Sequence, residues 1–114
     1  MNIRRGEIYL VNLDPTVGSE QGKTRPALII QNDVGNEFSP VTIIAPISSQ
    51  PAKKQYPTEV WITPQESGLE LKSRVLLNQI RTVDKSRLQK KVGQLSTKKM
   101  MEVNQAVQIS LGLL

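Results

Sequence analysis

The chain contains no cysteine and no histidine. Without cysteine there is no disulfide, and without either residue the two commonest zinc ligands and most transition-metal sites are gone. The nucleophile–base pairs that depend on an imidazole are excluded as well. Any chemistry must use Arg, Lys, Ser, Thr, Tyr, Asp and Glu. The acidic residues are scattered singly, so no carboxylate cluster is spaced to hold magnesium, and no metal or other cofactor is expected. Aromatic residues are few: Tyr9, Phe38, Tyr56 and Trp61. A groove stacking many nucleic-acid bases would carry more, so any recognition surface should be small. No apolar run approaches a membrane span, and Met1-Asn2-Ile3-Arg4-Arg5-Gly6-Glu7 lacks the apolar stretch of a signal peptide. A cytoplasmic protein with no membrane partner is expected.

What is present suits one folded domain over residues 1–114. Apolar residues make up 38% and charged residues 22%, a balance of soluble globular chains rather than disordered ones. The net charge is +5. Much of the excess falls late, at Lys85, Arg87, Lys90, Lys91, Lys98 and Lys99. Such a stripe either meets a polyanion or is a solvated face.

Short strand-like runs fill most of the chain. Glu7 to Leu13 alternates, with Ile8 and Leu10 near one face, and Asp14-Pro15 ends it. Ala27 to Gln31 is continuously apolar, as a central strand would be. Val41 to Ile47 is β-branched, and Pro46 within it predicts an edge or a bulge. Ser48 to Pro57 reads as a loop. Thr58 to Ile62 alternates, with Val60 and Ile62 opposite Glu59 and Trp61. Thr63-Pro64-Gln65-Glu66 predicts one capped helical turn ended by Gly68. Arg74 to Leu77 and Ile80 to Val83 predict two strands or one long bent strand, and Val92 to Leu95 a short last one. Ser96 opens a helix whose apolar line runs through Met100, Val103, Val107, Leu111 and Leu114. Short strands with one closing helix predict a mainly β fold with α: a small, strongly bent antiparallel barrel.

The segment Gly18-Ser19-Glu20-Gln21-Gly22-Lys23-Thr24-Arg25-Pro26 concentrates the chemistry. Its glycines permit turn geometry, and Pro26 pushes Arg25 toward an extended backbone. A loop can close over an arginine held at the mouth of a strand, a placement that suits a phosphate. A plain hairpin with a solvated arginine is the alternative.

Several motifs together resemble the MazF/PemK toxin family. They are Arg5-Gly6-Glu7-Ile8-Tyr9, Leu13-Asp14-Pro15, the Gly18–Gly22 loop, Arg25-Pro26-Ala27-Leu28-Ile29-Ile30, Gln31-Asn32-Asp33, Pro46-Ile47-Ser48-Ser49-Gln50 and Gln79-Ile80-Arg81-Thr82. With the terminal helix they cover nearly the whole chain in order. The resemblance implies an SH3-like barrel of the kind shared by CcdB and PemK, with a short mid-chain helix and a C-terminal helix, usually as a homodimer. It also implies a metal-independent ribonuclease that cuts single-stranded RNA at short sequences. A cognate antitoxin would inhibit it, and DNA would be met only through the antitoxin complex. Arg25 and Ser48 fall at the implied catalytic positions. Candidate substrate-binding residues are Ser19, Glu20, Gln21, Ser49, Gln79 and Arg81, through base edges or phosphate. Many relatives have threonine in place of Ser48, and an acid in place of Asn78. A gyrase inhibitor of the CcdB type and a non-catalytic nucleic-acid-binding barrel are the rival readings.

Overall fold

Seven strands and three helices follow one another in the computed structural model, which describes residues 2–52 and 54–114. The strands are β1 (Glu7–Asn12), β2 (Thr24–Ile29), β3 (Val41–Ser48), β4 (Glu59–Ile62), β5 (Ser73–Leu76), β6 (Arg81–Asp84) and β7 (Leu88–Gln94). The helices are α1 (Asp33–Phe38), α2 (Pro64–Ser67) and α3 (Thr97–Ser110). The sheet runs β4-β5-β3-β2-β1-β7, and β6 pairs with β3. All these pairings are antiparallel. Among the described residues β4 and β7 do not pair, so the sheet is barrel-like without closing. Lys53, within the expected loop, lies outside the described residues.

Two apolar cores lie on opposite faces of the central strands. One gathers Ile8, Leu28, Ala45 and Ile47 with Val60, Ile62 and Val75, and α3 covers it with Met100, Val103 and Ala106. The other gathers Tyr9, Val11, Leu13, Ala27, Ile29, Ile44, Val83 and Leu88. Burial on both faces explains the unbroken apolar run of β2. The expected apolar line of α3 is therefore right at Met100 and Val103. It fails beyond the helix, where Leu111 and Leu114 are exposed.

Pro46 sits within the sheet rather than at an edge, opposite Ala27 of β2. The carbonyl of Ile43 accepts from Ile30 and Gln31, so peptide groups of odd-numbered β3 residues turn toward β2. Those of even-numbered residues turn the other way. On that side β6 pairs with Val41–Ile44 and β5 with Ile47 and Ser48. Pro46 falls between these two partners, where its missing N–H costs no ladder bond. The same arrangement makes β5 and β6 two strands rather than one.

Helix α1 occupies a stretch whose Asn32-Asp33 and Gly35-Asn36 pairs read as breakers. Asn32 caps it, accepting from the backbone N–H of Gly35 at 2.8 Å. Its inward face is polar. Asn36 is buried and accepts from the Thr42 hydroxyl at 2.7 Å, while Val34 and Phe38 point to solvent. With no apolar stripe, a hydrophobic periodicity cannot reveal it. Strand β7 likewise begins earlier than expected, at Leu88, because Gln89, Lys90 and Lys91 carry no apolar alternation.

Asp33 ties α1 to the chain start. Its Oδ1 accepts from the Arg5 backbone N–H at 2.7 Å and from Asn36 Nδ2 at 3.1 Å. The Arg5 hydrogen bond is the main cause holding the carboxyl below its ordinary value, against a smaller opposing effect of desolvation. A lowered folded pKa stabilises above the unfolded value of about 4 and is lost as pH falls through the folded one. Asp33→Asn should therefore flatten the acid limb of the stability curve. Thermal melting at pH 6 and pH 3 checks this: the wild type should lose more melting temperature than the variant, and equal losses would refute it.

Candidate active site

The loop between β1 and β2 is closed at its base by a short clasp. The backbone N–H of Leu13 donates to Lys23 O at 2.9 Å, and that of Lys23 to Asp14 Oδ1 at 2.7 Å. Lys23 takes a positive φ of 63° inside it. Gly18 supplies the left-handed turn expected of it, with φ of 59°. Gly22 serves differently: a Cβ there would lie 2.6 Å from Thr16 Oγ1 and 2.8 Å from Asp14 Oδ1. The absent side chain thus admits the Asp14 clasp, a role that reading Asp14-Pro15 as a strand terminator does not reveal.

Arg25 belongs to β2 rather than to the loop and pairs with Val11. Val11 is fully buried in the second core, so Arg25 lies on that face of the sheet. Its guanidinium is anchored by the loop. Nε donates to Gly22 O at 2.7 Å, and Nη1 donates to Gln21 Oε1. The backbone N–H of Gln21 in turn donates to Gln79 Oε1 at 2.9 Å. A hydrogen-bond chain therefore runs from the β5–β6 turn through the loop to Arg25. Gln79 is half-buried within it, not a solvent-facing strand residue.

The β2–β3 register sets Ala27 opposite Pro46 and Leu28 opposite Ala45. Carried two residues past the last ladder pair, it brings Arg25 abreast of Ser48. Ser48 is 2% exposed, and its Oγ accepts from the Gln50 backbone N–H at 3.2 Å. It is the least accessible candidate, so a phosphate reaches its hydroxyl only after a covering group gives way. Ser49, one residue past the end of β3, is exposed.

Two clefts border this region. The first, of about 410 Å³, is lined by Ser19, Glu20, Gln21, Pro46, Asn78, Gln79, Ile80 and Arg81. It unites five of the six expected substrate-binding residues. Glu20 is bound within the loop, accepting from Val17 N at 2.6 Å rather than pairing with Lys23 or Arg25. Arg81 stands opposite Ile44 and donates through Nη1 to Leu13 O at 2.9 Å, so Asp84 is not its partner. The second cleft, about 630 Å³, takes Ser49 with Leu10, Pro26, Ile47 and Leu71, and is bordered by Arg25 as well. The structure thus sets Ser49 apart from the other five substrate-binding candidates but beside Arg25.

Much of the late basic stripe is occupied within the chain. Lys85 donates to Asn36 O, Arg87 to Asn12 O, and Lys91 pairs with Glu7 at 2.5 Å. Lys99 pairs with Glu102 at 3.0 Å and Glu66 at 3.3 Å. On β7 itself Lys91 is held by Glu7. Among the described residues no group of His, Asp, Glu or Cys is placed to hold a metal ion, and no helix is long and apolar enough to cross a membrane.

The hydrogen bonds from Gln79 to Arg25 yield a prediction. Gln79→Ala removes the acceptor that fixes Gln21, and with it the support of the guanidinium. A lost hydrogen bond of about 1 kcal/mol corresponds to roughly a fivefold change. Any turnover that depends on Arg25 should fall by about that factor, with melting temperature nearly unchanged. Unaltered kcat in a single-turnover assay would exclude this anchoring role.

Known proteins match this chain throughout its length. It is 52% identical over 111 residues to the endoribonuclease MazF of Staphylococcus saprophyticus, covering 97% of this chain and 92% of that protein. It is 49% identical over 114 residues to the endoribonuclease EndoA of Bacillus subtilis, covering 100% and 98%. Among solved structures, MazF from Deinococcus radiodurans superposes with a TM-score of 0.82 at 26% identity, covering 98% of each chain. A mycobacterial endoribonuclease in complex with its cognate antitoxin shares the fold, with a TM-score of 0.80 at 23% identity over 98% and 97%. Residues 4–111 match the family described as PemK-like, MazF-like toxin of type II toxin-antitoxin system. The chain belongs to the PemK/MazF family of toxins.

Proposed function

We propose that the protein is a toxin endoribonuclease that cuts single-stranded RNA at short sequences without a metal. The observation that carries this reading is Arg25. It stands abreast of Ser48, borders the second cleft, and is anchored through Gln21 to Gln79, both of which line the first. Two curated relatives named endoribonucleases at about half identity support it and favour it over the gyrase-inhibitor and non-catalytic readings.

Cleavage without a metal proceeds by attack of the ribose 2′-oxygen on the adjacent phosphorus. That bond forms, with the 2′-hydroxyl proton passing to water, as the bond from phosphorus to the 5′-oxygen breaks and that oxygen takes a proton from water, and negative charge builds on the phosphoryl oxygens. Arg25 is the electrostatic stabiliser of that charge. A guanidinium has five N–H donors and stays protonated. Two are engaged by Gly22 and Gln21, which leaves three for phosphate. Ser48 supplies a further donor once uncovered. Ser19, Glu20, Gln21, Gln79 and Arg81 contact unstacked bases or the neighbouring phosphate. Ser49 belongs to the rim beyond Arg25.

The protein works in the cytoplasm as a homodimer, and a cognate antitoxin holds it inactive; a relative of the same fold is described in complex with its own antitoxin. Incubating purified protein with long single-stranded RNA in excess EDTA tests the reading. Discrete cuts are expected, lost when the antitoxin is added. Intact RNA with protein shown to be folded by circular dichroism would overturn it.

A further inference from the structure

The face that carries Arg25 and Ser48 continues beyond them. Ser48 stands opposite Arg74 on β5, and Arg74 stands opposite Trp61 on β4. Residues directly opposite in antiparallel strands share a face. Arg25, Ser48, Arg74 and Trp61 therefore form one row crossing β2, β3, β5 and β4. The reverse side of β4 and β5, with Val60, Ile62 and Val75, is the α3-covered core. The row lies on the side away from it.

The far end of this row is chemically unfinished. Arg74 Nη1 donates to Glu59 Oε2 at 2.7 Å, with the two side chains 15% and 7% exposed. Buried Arg74 Nε, Glu59 Oε1 and Trp61 Nε1 have no hydrogen-bond partner. Buried polar atoms are nearly always partnered, so three orphans in one place are unusual for a face with only a structural role. Trp61 is half-buried, and the Lys72 ammonium stands 5.1 Å from the centre of its ring. Lys72 is exposed and sits on a flexible stem, so it can leave the ring without disturbing the sheet.

We infer that this end of the row is an RNA subsite flanking the cut, in which Trp61 stacks a base and Lys72 moves to the adjoining phosphate. The inference rests on the ribonuclease reading above. Two inter-strand spacings, about 10 Å, separate Ser48 from Trp61, a reach of a nucleotide or two along an extended strand. A ring face already attractive to a cation suits stacking, and stacking tolerates any base. The subsite therefore adds affinity for longer RNA without changing the sequence cut. The orphaned Arg74 Nε and Trp61 Nε1 are donors for acceptors on the stacked nucleotide.

Trp61 is the only tryptophan in the sequence, so its emission reports on this position alone. The test titrates the protein with RNA bearing the mapped cut site, blocked by a 2′-deoxy substitution at the attacking position. RNA with several flanking nucleotides should quench Trp61 emission, and RNA trimmed at one flank should bind without quenching it. Trp61→Ala should weaken binding of the long RNA roughly five- to hundredfold and leave the trimmed RNA and the cut sequence unaffected. Trp61→Phe should retain most of the affinity and guards against misfolding of the alanine variant. Binding seen by anisotropy with unchanged emission would overturn the subsite and leave the ribonuclease reading standing. Emission that depends on protein concentration without RNA, and not on RNA, would assign Trp61 to a contact between two copies and also overturn it. Neither cleavage nor binding of RNA would overturn both readings.

Discussion

Replacing Arg25 with alanine is expected to lower RNA cleavage by about two to three orders of magnitude, the ~3 kcal/mol that one preorganised donor contributes to an oxyanion-like transition state. The size of the effect follows from the lack of substitutes. No histidine exists in the chain, and Arg81, which lines the first cleft, sits on β6 opposite Ile44 rather than abreast of Ser48. Arg25→Lys keeps the charge but loses the planar fork that grips two phosphate oxygens, so it should recover only a small part of the rate. The fold should not suffer. Arg25 is half-buried at the end of β2, outside both cores. Single-turnover cleavage beside a thermal melt separates the two outcomes. An alanine variant that cuts at near the wild-type rate would remove Arg25 from the mechanism.

The second large effect concerns stability and arises at a glycine of ordinary backbone geometry. A Cβ at Gly93 would lie 2.0 Å from the carbonyl oxygen of Ser67 and 2.8 Å from its carbon. These are backbone atoms at the end of α2, so no side chain can swing aside. Helix α2 is itself held firmly. Thr63 and Glu66 form a reciprocal capping box, and Gly68 closes the helix with φ of 79°. Opposite, Gly93 pairs with Ile8, beside a bulge at which Val92 is the extra residue of β7. Glycine in a strand usually costs stability relative to alanine, so Gly93→Ala should stabilise if only local propensity mattered. The close approach reverses that sign. Overpacking of this kind costs roughly 1–3 kcal/mol, which for a chain of this size lowers the melting temperature by about 5–15 °C. Gly18→Ala is the useful contrast, since its φ is positive but nothing lies within 4 Å. A Gly93→Ala melt at or above the wild-type temperature would show that β7 and α2 do not approach as described.

Elements with an apolar or capping signature are legible in the chain, and those without one are not. Strand β4 and helix α3 bury residues at their characteristic spacing, so the pattern marks them, while β1 and β3 bury residues on both faces and are marked by their apolar and β-branched content. Helix α2 was marked by its capping residues rather than by burial. Helix α1 is hidden because Asn36 buries an amide rather than a hydrocarbon, and the start of β7 because Gln89, Lys90 and Lys91 are exposed. Pro46 misleads for a different reason. Its cost depends on which side of the strand lacks a partner, and that is set by where β6 ends and β5 begins.

The same division runs through the candidate site. Composition alone excludes imidazole and thiolate chemistry and leaves arginine and hydroxyl groups to handle a phosphate. The order of motifs, each local in sequence, is enough to place the chain in its family and to single out Arg25 and Ser48. What local pattern cannot carry is the relation between residues far apart in the chain. Gln79 meets Gln21 across 58 positions, and Ser49, just past the end of β3, lines a different cleft from the other five substrate-binding candidates. Ser48 meets Arg74, and Arg74 meets Trp61, only through strand register. Register is settled by packing two cores on opposite faces of the same strands. A slip of one residue would turn every buried side chain toward the wrong face. The kind of chemistry was thus written in residue types and their order, while the row of groups that could perform it exists only once both cores have closed.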